Sequence, residues 1–450
     1  MTNILFIAYQ FPPLNVGGTQ RPLKFVKYLH EFGITPIIIT LAQKSYKEVY
    51  GTFHSDIETM AEIPEGTTII EIPSTPLLSK RTGEIKHFLE IYFSTVRREA
   101  QSWKPNLLAR LPGIIEKYKP KAVFVTAPPF SMLPLAVEIA EKYKLPLISD
   151  LRDAWSQWNT TPYATKVHYN AVVKLEDEIF QKSKAIIATS KQTIFDFIKT
   201  HPNIQKSKFH YIPNGFDSEI NKFNIKYDFS IKKEIVIGYT GSFYYSPESR
   251  QQMLTPWYKK RLHRKLQYTP VKEDWLYRSP YFFFKTLNKL FDKKPKLKSK
   301  VKIKFAGKKP VWIQAMIDEF KLSNNCDFVG QLNHKASLQF QKSCDALLIT
   351  SSKVMGGKDY SIAGKTFEYI VAQKPILAFV TESAQKDVLE ETGITIVCDP
   401  DDSEGAVNML KSIFEESISL KLNKKFIEKH QRSFLTKKLS EILFSVMPKE

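Results

Sequence analysis

Short apolar runs recur along this chain, each closed by turn residues and separated from the next by a stretch whose apolar side chains fall at helical spacing. Residues 4–9, 37–39, 122–125, 147–149 and 185–189 are such runs in the first half. They are too short for core helices and do not alternate with polar residues, so each reads as a strand buried on both faces, as in a parallel sheet. The stretches between them supply the crossovers that parallel neighbours need. From Pro22, Leu23, Val26 and Leu29 join Phe25 and Phe32 in an apolar stripe that Gly33 ends, and 133–144 and 170–182 repeat the pattern. The first half is expected to be a Rossmann-like α/β unit.

A second series starts at 234–242, after Pro213-Asn214-Gly215-Phe216-Asp217 and a polar stretch, and continues at 301–305, 327–329, 346–350, 375–380 and 394–397. Its interruption at about 244–300 holds fifteen Lys/Arg against four Asp/Glu, so about 11 of the chain's 20 net positive charges lie there. Such an excess favours anionic partners without choosing among them. Trp257, Tyr258, Trp275, Tyr277 and Tyr281 interleave with those cations, as in nucleic-acid readers and in membrane-interface segments. A solvated helical excursion with an aromatic stripe packed on its domain is equally open. Cys326, Cys344 and Cys398 lie far apart and form no disulfide framework or thiolate metal site. No apolar run reaches the roughly 18 to 20 residues of a spanning helix, and the N-terminus enters its first strand without a basic leader. The expectation is a cytoplasmic protein that touches a membrane, if at all, from the inner face.

Three segments carry the residue types of a ligand site. Pro12-Pro13 and Gly17-Gly18 lie between the first strand and its helix, where small residues admit a ligand close to the backbone and the helix start suits a phosphate. Ser149-Asp150-Leu151-Arg152-Asp153-Ala154-Trp155 follows a strand, which puts its charges at the carboxyl edge of the sheet, where open α/β sheets hold their sites. The third is 356–370, a glycine-containing loop running into a helix; Lys365 and amides at its start suit a diphosphate, and Glu368, one turn in, suits ribose hydroxyls. Gly364-Lys365-Thr366 is not a P-loop, because position 359, where the motif needs glycine, is Asp359. Nine histidines make no HxH or HExxH, so no metal site is expected, and no GxSxG elbow supports Ser/His/Asp hydrolysis.

Taken together, two Rossmann-like halves with these loops resemble the retaining GT-B glycosyltransferases of family GT4 over nearly the whole chain. The resemblance rests on Pro12, Pro13, Gly17, Gly18 and Arg21 at the opening; on Asp150, Arg152, Asp153 and Trp155; on Pro213 to Asp217; on Tyr239 to Ser242; and on Gly364, Lys365, Glu368 and Tyr369. It implies a first, acceptor domain at 1–217, a second, donor domain at 218–428 containing the basic insertion, and a closing helix at 429–450 that returns to the first domain. It also implies transfer of a sugar from a nucleotide diphosphate sugar to a hydroxyl with retention, that sugar nucleotide being co-substrate rather than cofactor and no metal being required. By the same analogy Gly17, Gly18, Ser242, Arg250, Arg278, Gly364, Lys365 and Glu368 bind the donor. Asn15 and Arg21 face the acceptor, and Asp150, Arg152, Asp153 and Lys365 act at the reacting centre. The family's E-x7-E motif is incomplete, since position 360 is Tyr360, and its phosphate-clamping Arg and Lys have no aligned equivalent beyond Arg250 and Arg278.

Partners expected on this basis are the sugar nucleotide, a glycan or lipid-linked acceptor and an anionic membrane surface, with nucleic acid disfavoured. The implied setting is cell-surface polysaccharide or lipid-linked glycan synthesis. Two other readings fit the same residues: a nucleotide-sugar 2-epimerase on the same fold, and a non-catalytic basic protein that binds membranes or nucleic acid through the insertion.

Overall fold

A computed structural model describes residues 1–51, 53, 55–74, 99–157, 162–220 and 222–448. The chain divides into two units, one comprising Met1–Gly215, His263–Pro270 and Arg432–Glu450, the other Phe216–Leu262 and Val271–Gln431.

The first unit is built on β1 (Thr2–Ile7), β2 (Ile34–Leu41), β3 (Ile69–Ile72), β4 (Val123–Ala127), β5 (Leu147–Leu151), β6 (Ala185–Ala188) and β7 (Phe209–Tyr211). They form one parallel sheet in the order β3-β2-β1-β4-β5-β6-β7. Every residue of β4, β5 and β6 is buried, the burial on both faces that their unbroken apolar runs require. The edge strands β3 and β7 escaped the sequence reading because a four-residue strand interrupted by Glu71 and three residues around a histidine make no apolar run. Helix Gln20–Leu29 buries Leu23, Phe25, Val26 and Leu29.

The chain's end completes this core. Helices Lys424–His430 and Arg432–Val446 stand where a single closing helix at 429–450 was expected, and the second places Leu435, Leu439 and Leu443 in the core with Phe25, Val26 and Leu29. Three buried leucines at roughly 2 kcal/mol each make that helix a stabilising part of the first unit.

The second unit contains β8 (Asn224–Asp228), β9 (Ile235–Thr240), β10 (Glu273–Asp274), β11 (Val301–Ala306), β12 (Cys326–Gly330), β13 (Ala346–Thr350), β14 (Lys353–Val354), β15 (Ile376–Phe379), β16 (Thr395–Cys398) and β17 (Ser417–Lys421). Its parallel sheet runs β12-β11-β9-β13-β15-β16, and two antiparallel ribbons, β10 with β14 and β8 with β17, stand apart from it. The interruption at 244–300 proves to be of two kinds. Helix Tyr281–Lys293 is an ordinary crossover that buries Phe283, Phe284, Leu287, Leu290 and Phe291, and only the part before it is an insertion. His263–Pro270 belongs to the first unit, where Tyr268 bridges Tyr163, although the sequence reading gave the whole segment to the second domain. All three cysteines are free, and no described helix is long and apolar enough to cross a membrane.

Candidate functional site

In the first unit the loop after β1 and the end of β5 come together. Asp150 is fully buried and accepts from Arg21 through Nε (3.1 and 3.0 Å) and Nη2 (2.7 Å), and from Thr126 Oγ1 at 2.8 Å. Arg21 is 3% exposed and spends another nitrogen on the carbonyl of Pro213, 3.1 Å away. These bonds tie the helix start, the sheet edge and the turn after β7 into one frame. Asp150, expected to act in catalysis, and Arg21, expected to face an acceptor, are spent on each other and closed to solvent, an arrangement that holds the loop after β1 against the end of β5.

Arg152 extends the frame. Its guanidinium donates to the carbonyls of Gly18, Pro128 and Ala127 and to Gln10 Oε1 at 3.1 Å. Burial lowers its pKa, opposed by Asp153 and Asp150. A Cβ on Gly18 would run into the ends of the Arg152 and Gln10 side chains, so a larger residue there would displace them. The close approach that the glycine pair suggested is thus made by Arg152, not by a phosphate. Gly17 and Asn15 are exposed, and a Cβ on Gly17 would meet open space. Asp153 is half-buried, and Trp155 stacks on Phe130 with centroids 5.4 Å apart. Of this motif, Asp153 is the carboxylate left nearest solvent.

The loop beyond Trp155 is anchored by a buried histidine. His201 Nε2 lies 2.7 Å from Glu176 Oε2 and Nδ1 lies 3.2 Å from Asp177 Oδ1, while Glu176 Oε1 accepts from the Ser156 amide at 3.2 Å. Burial opposes a charge on His201, but Glu176 and then Asp177 outweigh it and raise its pKa. A raised folded-state value means that this contribution is complete below the ordinary histidine pKa and is lost as pH rises through the raised one. Wild-type stability is therefore expected to fall across that window relative to His201→Gln. Parallel melting curves of the two proteins at several pH values would refute this.

In the second unit glycine turns at the carboxyl edge of the sheet stand beside Lys365. Gly241 follows β9 and Gly307 follows β11, and a Cβ on Gly307 would lie 2.4 Å from the Gly241 carbonyl oxygen. Sequence reasoning missed Gly307, although Phe305-Ala306-Gly307 stands in register with Tyr239-Thr240-Gly241 and repeats its aromatic–small–glycine pattern. Lys365 opens helix Lys365–Ala372, its Nζ 3.6 Å from the Tyr239 ring centroid and 3.5 Å from where a Gly241 Cβ would stand. Desolvation lowers its pKa to about 7, with Glu368 acting the other way. Glu368 Oε2 accepts from Gln341 Nε2 at 2.9 Å, and His334 Nδ1 lies 3.9 Å from Oε1. The Tyr369 hydroxyl accepts from the Thr240 amide at 2.9 Å and so fixes the strand end that carries Gly241. Gly364, the residue preceding the helix, and Ser242 are exposed.

The structure does not bring Arg250 or Arg278 to that edge as open cations. Arg250 is held by both oxygens of Asp274, at 2.6 and 2.8 Å. Arg278 donates to Ser361 Oγ at 2.7 Å and to Asp359 Oδ2 at 3.3 Å, and Asp359, which also accepts from Ser352 and Ser361, is fully buried. That closed network keeps Asp359 from standing in for the acid missing at Tyr360. No cluster of three metal-ligating side chains occurs among the described residues.

Residues 283–433, which include the Lys365 helix, match the family described as glycosyl transferases group 1. That match covers about a third of the chain, almost all of it within the second unit. Solved structures align over both units. Anabaena HepE in complex with UDP gives a TM-score of 0.59 at 13% identity, covering 99% of this chain and 100% of that one. The outer core galactosyltransferase WaaB gives 0.53 at 11% identity, with 99% of each chain covered. WaaG, a glycosyltransferase involved in lipopolysaccharide biosynthesis, gives 0.52 at 12%, covering 98% of this chain and 99% of that one. At such identities the likeness establishes the fold, a GT-B pair of Rossmann-like units. No curated protein sequence matches significantly. The family match contains Lys365 and Glu368, whereas the Asp150 motif lies outside it.

Proposed function

We propose that the chain transfers a sugar from a nucleoside diphosphate sugar to a hydroxyl acceptor with retention of configuration. The observation that carries this is the Lys365 ammonium, half-buried against Tyr239 beside the Gly241 turn at the start of a helix. A partly desolvated cation at a helix N-terminus stabilises the charge that grows on a departing diphosphate. Glu368 accepts from ribose hydroxyls, Gln341 fixing its orientation. Asp153 and the exposed Asn15 and Gly17 turn toward the acceptor, while Asp150, Arg21 and Arg152 hold their backbone. Lys365 and backbone amides supply the leaving-group stabilisation, so chelating agents should leave turnover unchanged. The relatives named for lipopolysaccharide synthesis support a lipid-linked or polysaccharide acceptor at the inner face of a membrane. The family match favours transfer over 2-epimerisation.

Thermal shift with UDP, GDP, dTDP and ADP sugars tests the donor site, since ligand bound to the native state raises its melting temperature. One of them should do so; no shift with any would overturn the reading. Glu368→Ala should weaken binding of the active nucleotide by about 1.5 to 3 kcal/mol, the value of hydrogen bonds to a charged group. Unchanged affinity by calorimetry would remove the ribose role.

A further inference from the structure

The segment between helix Pro247–Leu254 and β10 ends in a turn that packing within its own unit does not explain. Trp257, Tyr258 and Leu262 are 68%, 59% and 82% exposed, and leaving three large apolar side chains in water forgoes burial that a partner could provide. Lys259, Lys260 and Arg261 lie among them, and no acid occurs from Gln251 to Lys272. The turn is ordered: Trp257–Lys259 is a 3₁₀ turn, closed by the Lys259 amide on the Pro256 carbonyl at 3.0 Å and the Lys260 amide on the Trp257 carbonyl at 3.2 Å. Its base is fixed by buried Met253 and by the two-point Arg250–Asp274 pair. Arg250 thus has a use that the donor reading did not give it.

We propose that Pro256 to Leu262 is a membrane-docking tip that inserts its apolar side chains at the interface of an anionic phospholipid surface while its cations hold the headgroups. Trp and Tyr favour that interface because their rings are apolar and their edges polar. Clustered Lys and Arg add electrostatic attraction to anionic lipid. Charge alone would suit nucleic acid equally, and the aromatic geometry decides between them. The Trp257 and Tyr258 rings pack edge to face, 6.2 Å apart at 90°. That is mutual packing rather than the parallel, open faces on which successive bases stack. Leu262, the most exposed of the three, offers a base neither stacking nor a hydrogen bond, but it gains by entering an acyl boundary. This tip does not rest on the catalytic reading, because binding is read without donor or acceptor.

Co-sedimentation of the full chain with phosphatidylcholine vesicles, with and without 30% phosphatidylglycerol, tests it. Binding should require the anionic lipid and weaken with salt. Replacing Lys259, Lys260 and Arg261 together by Gln should lower the partition coefficient roughly a hundredfold, at about 1 kcal/mol per cation near the surface. Trp257→Ala with Leu262→Ala should remove the binding that survives high salt. Melting temperatures of both variants should match the wild type, which separates lost docking from lost folding. Equal binding to neutral vesicles, unchanged partition by either variant, or preference for single-stranded nucleic acid over vesicles would each overturn the proposal.

Discussion

Asp150→Ala is expected to destabilise the first unit by about 3 to 5 kcal/mol, the cost of leaving one member of a buried ion pair without its partner. Arg21 cannot swing out to recover water: it is 3% exposed, it packs 4.7 Å over the Phe25 ring, and its helix is pinned to the sheet. The variant would also strand the Thr126 hydroxyl, which donates to Asp150 at 2.8 Å. Against a typical total of about 5 to 15 kcal/mol, such a loss is enough to leave much of the unit unfolded near its working temperature. Urea denaturation followed by tryptophan fluorescence measures it. Adding Arg21→Met should restore part of the loss, since it removes the stranded charge and replaces the side chain with an apolar one of similar length. A loss under 1 kcal/mol for the single variant would show that Asp150 is not structural and would reopen a direct role in chemistry.

Lys365→Met should lower turnover about 100- to 1,000-fold, the range seen when one preorganised charge-stabilising donor is removed. Methionine keeps the stem's contact with Tyr239 and removes only the charge, so the fold is expected to survive. A second readout follows from the surroundings of Lys365. Its pKa of about 7 means that the free protein loses this charge as pH rises through neutrality. A bound diphosphate favours the ammonium and raises that value, so nucleotide binding at pH 8 must take up a proton. Calorimetry in buffers of different ionisation enthalpy should show uptake approaching one proton per nucleotide for the wild type and almost none for Lys365→Met. Equal uptake by both proteins, or near-normal turnover by the variant, would exclude Lys365 from the donor site.

The sheet strands were legible in the sequence to the extent that their burial was two-sided. The run at 346–350 coincides with β13 and that at 185–189 covers β6, both buried almost throughout, while those at 301–305 and 394–397 fall within a residue of β11 and β16, several of whose positions are only half-buried. β8 and β17 form a ribbon whose exposed positions alternate along β17, and β10 with β14 is a pair of two-residue strands; neither leaves such a run.

The residues proposed for the donor were legible for a similar reason. Glycine at a strand end, lysine at a helix start and a carboxylate one turn on lie close in sequence or on a repeated strand–turn pattern, and their chemistry follows from residue type. The acceptor side was not. Asp150, Arg152 and Arg21 are charged residues at a sheet edge, and sequence cannot say whether such groups face solvent or one another. Pairing partners 129 residues apart settled that Arg21 closes on Asp150, and the end of the Arg152 side chain proved to lie against Gly18. Likewise the charge of the insertion could be counted from composition, but its division could not. Packing turned 281–293 into core, assigned His263–Pro270 to the first unit and left Trp257 to Leu262 outside. Sequence by itself determined the two α/β series and the residue types at their loop ends, since short-range pattern reports local burial. Only the tertiary structure decided which charges are spent on each other and which remain for a ligand, because that depends on residues far apart in the chain meeting at one place.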